Sequence, residues 1–484
     1  MDLWNMTLPV SWHGSWSGKK ALVLGLGKSG FSACDTLVEL GLEVAAVGGS
    51  AAKELIDLVD VIGAKFFASE EASVLDQIGF EPDLVIVSPG FSPEHPLVQE
   101  VQKRGWELLT DIDLAWRLRD KTQKTAKWIS ITGTNGKTTT CEMVQAMINR
   151  SGQTAISCGN IGTPILDAIR DPNGFDYFVI ELSSFQLHYL GVIEPVVSSF
   201  LNIAEDHLDW HGDFDQYLEA KSKVYQNTTG VIVFNEQDPN TLAAAEQADV
   251  AEGARAVSFS LGSPAVSMVG YVDDFLVDRA FLDDRKNTAL EIASFDDISN
   301  VSRISKQLLA NCAAATTIAR AVGIEPAVIR EAIREFVIAP HRIQYCGEFS
   351  GVEFINDSKA TNAHAADSSL SSFDSIVWIL GGLLKGVDPE PVILKHASKI
   401  RAAVLIGKDT TVLEELFAKH LPDLELAIAD RDRAMASAVE LAAGFANPGD
   451  TVLLAPLAAS MDQFVDYADR GNQFVEAVRG LGAK

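Results

Sequence analysis

The sequence predicts an α/β protein of three domains, and three observations lead to this fold class. The chain has 484 residues, more than one hydrophobic core usually organises, since a domain holds roughly 150 residues. Short apolar runs alternate with helical patterns along its length, which is typical of parallel sheets covered by helices on both faces. Glycine-rich or polar turns follow several of these runs, and ligands of such sheets bind at the carboxyl ends of strands.

The three predicted domains cover residues 1–125, 126–339 and 340–484. The first is Rossmann-like, because a strand predicted at 21–24 leads directly into a glycine-rich turn. The second is a P-loop-type ATPase domain with a parallel sheet, since its first strand, at 128–131, precedes a phosphate-loop-like turn and a helix. The third is again Rossmann-like and begins at Pro340, where a proline comes after a helical run.

Charge and composition exclude several classes of protein. Lys and Arg number 39 against 66 Asp and Glu, a formal net charge of -27 that repels nucleic-acid phosphates and anionic lipid surfaces. The five cysteines form no C-x-x-C pair, so neither a zinc ribbon nor a disulfide framework is expected. The longest apolar run, 376–384, is too short to span a bilayer. We therefore expect a cytoplasmic protein with no nucleic-acid or membrane partner.

A phosphate-binding loop is predicted at the start of the second domain. Glycines let backbone N–H groups and the helix N-terminus face an anion, a lysine neutralises phosphate oxygens, and a threonine hydroxyl reaches magnesium. The usual spacing G-x-x-x-x-G-K-[ST] is not met, because Ile131 stands where the first glycine would be. The alternative is a glycine-rich turn with a solvated lysine. The candidate ATP-binding residues of this loop are Gly133, Thr134, Asn135, Gly136, Lys137, Thr138 and Thr139.

Three other charged residues become candidates because of their surroundings. Glu181 ends an apolar strand, and a carboxylate there would suit magnesium beside nucleotide phosphates if the two strands are neighbours. His207 stands among carboxylates, where a structural hydrogen bond is a more common role than metal binding. Lys221, taken alone, would be a charge on a helix surface.

Taken together, the motifs resemble the Mur ligase family. In the second domain they are T-G-T-N-G-K-T-T from Thr132, G-N-I-G from Gly159, E-L-S-S-F-Q-L from Glu181 and N-x-x-E-D-H-x-D from Asn202. The third domain adds His341-Arg342, N-D-S-K-A-T-N from Asn356, S-M-D-Q-F from Ser460 and R-G-N from Arg470. The resemblance covers nearly the whole chain and is strongest to the member that adds D-glutamate.

This resemblance implies an ATP-dependent ligase that joins D-glutamate to UDP-N-acetylmuramoyl-L-alanine through an acyl phosphate, acting as a monomer in peptidoglycan precursor synthesis. It implies two magnesium ions, one served by Thr138 and Glu181 and one by His207 and Lys221. The matching lysine of the family is carbamylated, which converts a cationic amine into a bidentate oxygen anion suited to magnesium.

The same resemblance assigns roles to the remaining candidates. The residues implied to be catalytic are Lys137, Asn160, His207, Lys221 and Lys359. Those implied to bind ATP beyond the loop are Asn311, His341, Arg342, Asp357 and Lys359. Those implied to bind the two other substrates are Asn160, Ser183 and Gln186 for the acyl donor and Thr361, Lys385, Ser460 and Tyr467 for D-glutamate.

A second glycine-rich motif, G-x-G-x-x-G, lies in the first domain and comprises Gly25, Gly27, Lys28, Ser29 and Gly30 with Leu26. By itself it is weak evidence for a dinucleotide, because that fingerprint needs an acidic residue about 20 positions later. The second strand, predicted at 44–47, is followed instead by two glycines and a serine. An NAD-dependent oxidoreductase, the alternative from another class, therefore loses support.

The resemblance instead implies that this motif binds the pyrophosphate of a UDP-sugar. Ser88, Pro89 and Gly90 would lie nearby. An acidic residue at the end of the second strand normally helps to hold the uracil in this family, so the same departure matters here, and the sequence does not identify its replacement.

Two further departures keep alternatives open. The H-N-x-x-N pattern of the family appears as Q-L-L-A-N at 307–311, which leaves only Asn311 for the adenine, and G-G-D-G-K appears as G-G-L-L-K at 381–385. The remaining alternatives are another Mur-type ligase, a folylpolyglutamate-type ligase, and a protein of this fold without catalytic activity.

Overall fold

The chain folds into two compact units. The structure is a computed structural model that describes residues 8–299 and 304–482. The first unit comprises the chain through residue 203, then 215–294 and 310–333, and the second comprises 204–214, 295–309 and the chain from 334 onward. Within the described residues, the first unit contains two sheets and the second contains one. The predicted boundaries at 125/126 and 339/340 stay predictions.

The N-terminal part of the first unit forms a five-stranded parallel sheet. Its elements are β1 (Lys20–Leu24), α1 (Lys28–Glu39), β2 (Glu43–Gly48), α2 (Lys53–Val61), β3 (Lys65–Ala68), β4 (Leu84–Val87), α3 (Pro96–Lys103), β5 (Leu108–Leu109) and α4 (Asp111–Arg117). The strand order is β3-β2-β1-β4-β5, so β1 lies at the centre. Alternate residues such as Leu22 and Leu24 pack on one face against Leu97 and Val101 of α3.

A nine-stranded sheet follows in the same unit, although residues 204–214 and 295–309 of this stretch of chain belong to the second unit. The elements of this region are β6 (Lys127–Thr132), α5 (Lys137–Arg150), β7 (Ala155–Gly159), α6 (Ile165–Arg170), β8 (Tyr177–Glu181), α7 (Ser184–Tyr189), β9 (Val197–Phe200), α8 (Leu208–His211), α9 (Phe214–Ser222), β10 (Val231–Asn235), α10 (Pro239–Glu246), β11 (Arg255–Phe259), β12 (Met268–Val272), β13 (Phe275–Asp278), β14 (Leu290–Ser294), α11 (Phe295–Ser299), α12 (Lys306–Ala321) and α13 (Pro326–Glu335). The order is β14-β13-β12-β11-β10-β9-β6-β8-β7.

The sheet is parallel from β7 to β12, whereas β13 pairs antiparallel with both β12 and β14. The sequence predicts a parallel sheet here, and the structure adds this antiparallel extension. Val272 of β12 and Phe275 of β13 are exposed apolar residues, so these two strands lack the continuous burial of the central strands.

The second unit contains a six-stranded sheet. Its elements are β15 (Gln344–Phe349), β16 (Val352–Asn356), α14 (Ala363–Ser371), β17 (Ile376–Gly381), α15 (Glu390–His396), β18 (Ile400–Ile406), α16 (Thr411–His420), β19 (Glu425–Ile428), α17 (Ala434–Phe445), β20 (Thr451–Leu454) and α18 (Tyr467–Leu481). The order is β15-β16-β20-β17-β18-β19, and only the pair β15 and β16 is antiparallel within it. Buried side chains fill both faces, as expected for strands covered by helices.

None of the helices in the described ranges has the length and apolar character that a membrane crossing requires.

Candidate active site

The loop between β6 and α5 is held in place by Asn202, which follows β9. Its Oδ1 accepts the N–H of Asn135 at 2.9 Å, and its Nδ2 donates to the Asn135 carbonyl at 3.0 Å. Its own carbonyl accepts the N–H of Thr134 at 2.9 Å. These contacts exist because β6 and β9 are neighbours in the sheet. The sequence places Asn202 at the head of a motif but gives no sign of this role.

Asn311 fills the space beside Gly136 in which a larger residue would place its side chain. Gly136 has φ +80°, which L side chains rarely adopt, and a Cβ at this position would lie 2.2 Å from Oδ1 of Asn311. The structure therefore brings Asn311, on α12, against the predicted phosphate loop. Its binding of ATP stays a prediction.

Two lysine amines meet at one carbonyl oxygen of this loop. The Nζ of Lys137 donates to the carbonyls of Gly133 and Thr134, both at 2.9 Å. The Nζ of Lys221 donates to the same Gly133 carbonyl at 2.8 Å, and lies 3.4 Å from the Thr132 hydroxyl oxygen. Lys221 is only 1% exposed, so the expectation that it is a helix-surface charge, taken alone, does not hold. A buried amine beside a second amine favours an anion at this place.

Tyr217 supports this arrangement from α9. Its hydroxyl lies 3.0 Å from Oγ1 of Thr134, and its ring lies 4.9 Å from the Lys221 Nζ. Tyr217 precedes Lys221 by one helical turn, which puts both side chains on one face. The sequence did not identify Tyr217 as part of the site.

Glu181, at the end of β8, is the carboxylate beside the loop. It is 2% exposed, and its Oε2 accepts the hydroxyl of Thr138 at 2.8 Å while its Oε1 accepts the Nδ2 of Asn160 at 3.0 Å. Because β8 lies between β6 and β7, the ends of all three strands meet at one edge of the sheet. The role of Glu181 was predicted on the condition that its strand neighbours the strand before the loop. β8 and β6 are neighbours, so this condition is met.

These residues fit one magnesium ion next to a nucleotide. A carboxylate oxygen and a threonine hydroxyl oxygen within 2.8 Å are hard donors of the kind that magnesium binds, together with phosphate oxygens. No group of three or more His, Cys, Asp or Glu in the described ranges is arranged to hold a metal. A second ion near Lys221 would need an oxygen on that side chain, which a carbamate would supply.

Ser183 and Gln186 form a capping box at the start of α7. The Ser183 Oγ accepts the N–H of Gln186 at 3.2 Å, and the Gln186 Oε1 accepts the N–H of Ser183 at 3.1 Å. The Gln186 Nε2 donates to Oδ1 of Asp111, on α4, at 3.4 Å. Burial raises the pKa of Asp111 to about 6, although the hydrogen bond from Gln186 lowers it. Its Oδ2 has no hydrogen-bond partner among the residues that the structure describes.

The glycine-rich loop after β1 is closely packed against the turn after β4. A Cβ on Gly30 would lie 2.1 Å from the Gly25 carbonyl oxygen, so a larger residue would displace the loop. The Ser88 hydroxyl donates to the same carbonyl at 3.3 Å. The structure thus brings Ser88 to the loop of Gly25, Gly27, Lys28, Ser29 and Gly30, with Pro89 and Gly90 following it in the chain.

In the second unit, Asp206 is bound by two residues of the third sheet's region. The Nζ of Lys385 donates to its Oδ1 at 2.7 Å, and the Nδ2 of Asn362 donates to its Oδ2 at 3.0 Å. Burial opposes ionisation, but the neighbouring His207 and Lys385 charges keep the Asp206 pKa below its ordinary value. His207 is in this unit and Lys221 is in the first, so the predicted convergence of His207 with the loop stays a prediction.

His341 and Asp357 lie together at the start of the third sheet. The His341 Nδ1 lies 2.9 Å from Nδ2 of Asn356, and burial lowers the His341 pKa. Asp357 accepts the N–H of Ile343 at 3.2 Å and a hydrogen bond from the Ser369 hydroxyl. Burial raises the Asp357 pKa to about 6. Arg342 lines a surface pocket of about 600 Å³ within this unit.

Of the other candidates of the second unit, Lys359 contacts the first residue of α18. The Lys359 Nζ lies 3.8 Å from the centre of the Tyr467 ring. The buried Arg470 donates through Nε to the Ser358 hydroxyl at 2.9 Å and through Nη2 to the Ser358 carbonyl at 2.8 Å, and burial lowers its pKa to about 9. Ser460 is buried and its carbonyl accepts the N–H of Gln463, whereas Thr361 is half-buried and donates its N–H to the Lys359 carbonyl. Arg470 therefore ties the N-D-S-K-A-T-N run to α18.

Three candidate residues adopt the left-handed backbone conformation that favours glycine. They are His207 with φ +54°, His341 with φ +69° and Lys385 with φ +55°. Strain of this kind costs about 1 to 3 kcal/mol and concentrates at functional sites. The predicted roles of these three residues stay predictions.

The three sheets and the loop between β6 and α5 define the class, an α/β nucleotide-binding enzyme. Three family models then match successive parts of the chain: "Mur ligase MurD-like, N-terminal domain" at 19–110, "Mur ligase middle domain" at 131–319 and "Mur ligase, glutamate ligase domain" at 341–457. The chain belongs to the Mur ligase family, whose members are ATP-dependent ligases.

Individual proteins agree with this family. The UDP-N-acetylmuramoylalanine–D-glutamate ligase of Leifsonia xyli subsp. xyli is 46% identical over 97% of this chain and 94% of its own length. The crystal structure of UDP-N-acetylmuramate-alanine ligase MurC from Thermotoga maritima has a TM-score of 0.57 at 15% identity, covering 96% of this chain and 100% of that chain. MurF ligase from Thermotoga maritima in complex with ADP has a TM-score of 0.55 at 16% identity, covering 96% and 95%. These two structures support the predicted fold.

Proposed function

We propose that this chain joins D-glutamate to UDP-N-acetylmuramoyl-L-alanine in the cytoplasm, as a monomer, with conversion of ATP to ADP and phosphate. The observation that supports it most strongly is the gathering of Lys137, Thr138, Glu181 and Lys221 around one loop. The D-glutamate ligase that shares 46% identity over nearly the whole chain supports the choice of substrates. Family membership counts against the NAD-dependent oxidoreductase.

In the first step, the L-alanyl carboxylate attacks the γ-phosphorus of ATP and ADP leaves, which gives an acyl phosphate. A carboxylate is a poor electrophile, and phosphorylation supplies the leaving group it lacks. Lys137 neutralises phosphate oxygens as the two anions approach. Magnesium, when bound by Thr138 and Glu181 and by His207 and a carbamylated Lys221, would add further charge neutralisation.

In the second step, the amine of D-glutamate attacks the acyl carbon, and the tetrahedral intermediate collapses to an amide and phosphate. An ammonium cannot attack, so a base first takes its proton, and His207 and Asp357 are the two candidates. We assign Asn160, Ser183 and Gln186 to the acyl donor, and Thr361, Lys385, Ser460 and Tyr467 to D-glutamate. Asn311, His341, Arg342, Asp357 and Lys359 are assigned to ATP, with Lys359 also acting on the transferred phosphate.

The direct test is a substrate panel scored by phosphate release and product mass. The chain is incubated with ATP, magnesium, UDP-N-acetylmuramoyl-L-alanine and either glutamate enantiomer. We expect phosphate and the amide product with D-glutamate only, and loss of both in Lys137→Ala. Equal turnover of L-glutamate, or turnover of a folate substrate instead, would support the other ligases. No turnover of any member would support a protein without catalytic activity.

A further inference from the structure

Glu70 lies beside the end of β2, where the sequence lacks the acidic residue of a nucleotide fingerprint. The register of the parallel pair sets Gly48 opposite Ala68, and the N–H of Ser69 donates to the Gly48 carbonyl at 2.9 Å. The chain beyond β3 therefore continues along the end of β2, and Glu70 reaches the carboxyl edge of the first sheet.

The Glu70 side chain occupies the space that a side chain at position 49 would need. A Cβ on Gly49 would lie 2.1 Å from Oε1 and 2.6 Å from Cδ of Glu70. Gly49 does not have the positive φ that would itself require glycine. The absence of a side chain at position 49 and the position of the Glu70 carboxylate are thus complementary.

The strand end beside which Glu70 lies borders the glycine-rich loop that follows β1. The N–H of Gly25 donates to the Val47 carbonyl at 2.7 Å, and a Cβ on Gly48 would lie 3.5 Å from the Cα of Gly25. In Rossmann-like sheets the phosphates of a nucleotide lie at the first helix and its nucleoside lies toward the end of the second strand. Glu70 is on the nucleoside side of the loop.

We infer that Glu70 replaces the missing acid of β2 and accepts a hydrogen bond from the uridine of the UDP-linked substrate. The acceptor is then supplied by the chain after β3 instead of by β2 itself, and Gly48 and Gly49 leave room for it. This inference rests on the proposed function, because that function places a UDP group at this loop. Glu70 would determine affinity for the uridine and would take no part in the chemical steps.

The first experiment measures UDP binding by calorimetry, without turnover. We expect Glu70→Ala to weaken UDP binding about tenfold, as loss of a hydrogen bond to a charged group does, and Glu70→Gln to weaken it less. Glu71→Ala is the matched control, since it removes the neighbouring exposed carboxylate and should bind UDP like the wild type. In turnover, Glu70→Ala should raise KM for the UDP substrate and leave kcat and the KM for ATP within about twofold.

A double-mutant cycle tests the contact with Gly49. Gly49→Ala should displace the Glu70 carboxylate and weaken UDP binding. When Glu70→Ala is already present, Gly49→Ala should weaken UDP binding little further. Gly48→Asp in the Glu70→Ala background should recover most of the affinity, because a Cβ at 48 meets only ordinary contacts and places a carboxylate at the strand end.

Three outcomes decide the inference. Weaker UDP binding by Glu70→Ala with rescue by Gly48→Asp supports it. UDP binding by the wild type that Glu70→Ala leaves unchanged overturns the role of Glu70 alone. A wild-type chain that binds no UDP overturns both this role and the proposed function.

Discussion

Lys221 shows how much the chemistry of a residue depends on what surrounds it. Its Nζ is buried and donates to the Gly133 carbonyl. We predict that Lys221→Ala abolishes D-glutamate-dependent phosphate release, because it removes the group that carbamylation would convert into a magnesium ligand. If an oxygen anion is what the variant lacks, added formate or acetate should restore part of the activity.

Lys223→Ala is the control for this prediction. Lys223 lies two positions away and donates to the His188 carbonyl, outside the loop contacts, so its removal should leave most of the activity. Full activity of Lys221→Ala would remove this lysine from the mechanism.

Asp111 gives a prediction about pH. Its pKa is raised to about 6 in the folded protein, so the folded state binds its proton more tightly than the unfolded state does. The resulting cost to stability is absent at low pH, develops as the pH rises from about 4 to about 6, and is constant above that. The stability advantage of Asp111→Asn over the wild type should therefore increase by about 1 kcal/mol as the pH rises from 5 to 8.

The measurement is the melting temperature of both proteins across this range. Asp60→Asn removes an exposed carboxylate instead and should follow the wild type at each pH. A constant difference between Asp111→Asn and the wild type would contradict the raised pKa.

At the residue scale, the sequence identified candidate functional side chains that stand in known motifs. It did not identify the residues that hold those side chains in position. Lys137, Glu181 and Asn311 were predicted because they stand in motifs, and the structure brings them to one loop. Tyr217 and Glu70 were missed, and Arg470 was noted only as part of the R-G-N motif, because the importance of these residues comes from contacts with other parts of the chain. No local pattern distinguishes Glu70 from any exposed glutamate.

Among the elements, the start of α5 gives the clearest prediction. Gly136→Ala should raise the KM for ATP at least about tenfold, since a Cβ must fit a left-handed backbone and also displace Asn311. Gly152→Ala, beyond the end of the same helix, has φ +88° and no atom within 4 Å of the added Cβ. It should cost about 1 kcal/mol of stability and leave the KM for ATP unchanged. If both variants changed the KM for ATP equally, the contact between Gly136 and Asn311 would be unimportant for ATP binding.

The elements themselves were largely predictable. Strands expected at 84–87 and 128–131 are observed as β4 (Leu84–Val87) and β6 (Lys127–Thr132), because continuous apolar runs bounded by turns are distinctive. The antiparallel β13 was not predicted. It has only four residues, of which Phe275 is exposed and the next three are buried, so no alternation marks it as a strand, and its pairing depends on β12 and β14 being present.

For the whole molecule, the net charge of -27 is the property with the widest effect. Like charges repel one another more strongly in the compact state, and the Debye length falls from about 30 Å at 0.01 M salt to about 8 Å at 0.15 M. We predict that the melting temperature rises by about 2 to 5 °C over this range. Sodium chloride and choline chloride should act alike, because screening depends on ionic strength. A falling melting temperature would show that ion pairs outweigh the net repulsion.

The sequence also gave no sign that residues 204–214 belong to the unit of the third sheet. In this segment Asp206 is hydrogen-bonded to Asn362 and Lys385 of that unit, and the bond with Lys385 joins residues 179 positions apart. Hydrophobic periodicity reports which residues are buried within an element and carries no information about such a polar contact.

The left-handed backbones of His207, His341 and Lys385 have a consequence for protein engineering. Each position would be relaxed by glycine, so selection of random variants for heat resistance alone should enrich glycine there. Such variants would have lost the imidazole or ammonium group that the proposed reaction uses. Stabilised and active variants are therefore expected to form two separate populations at these three codons.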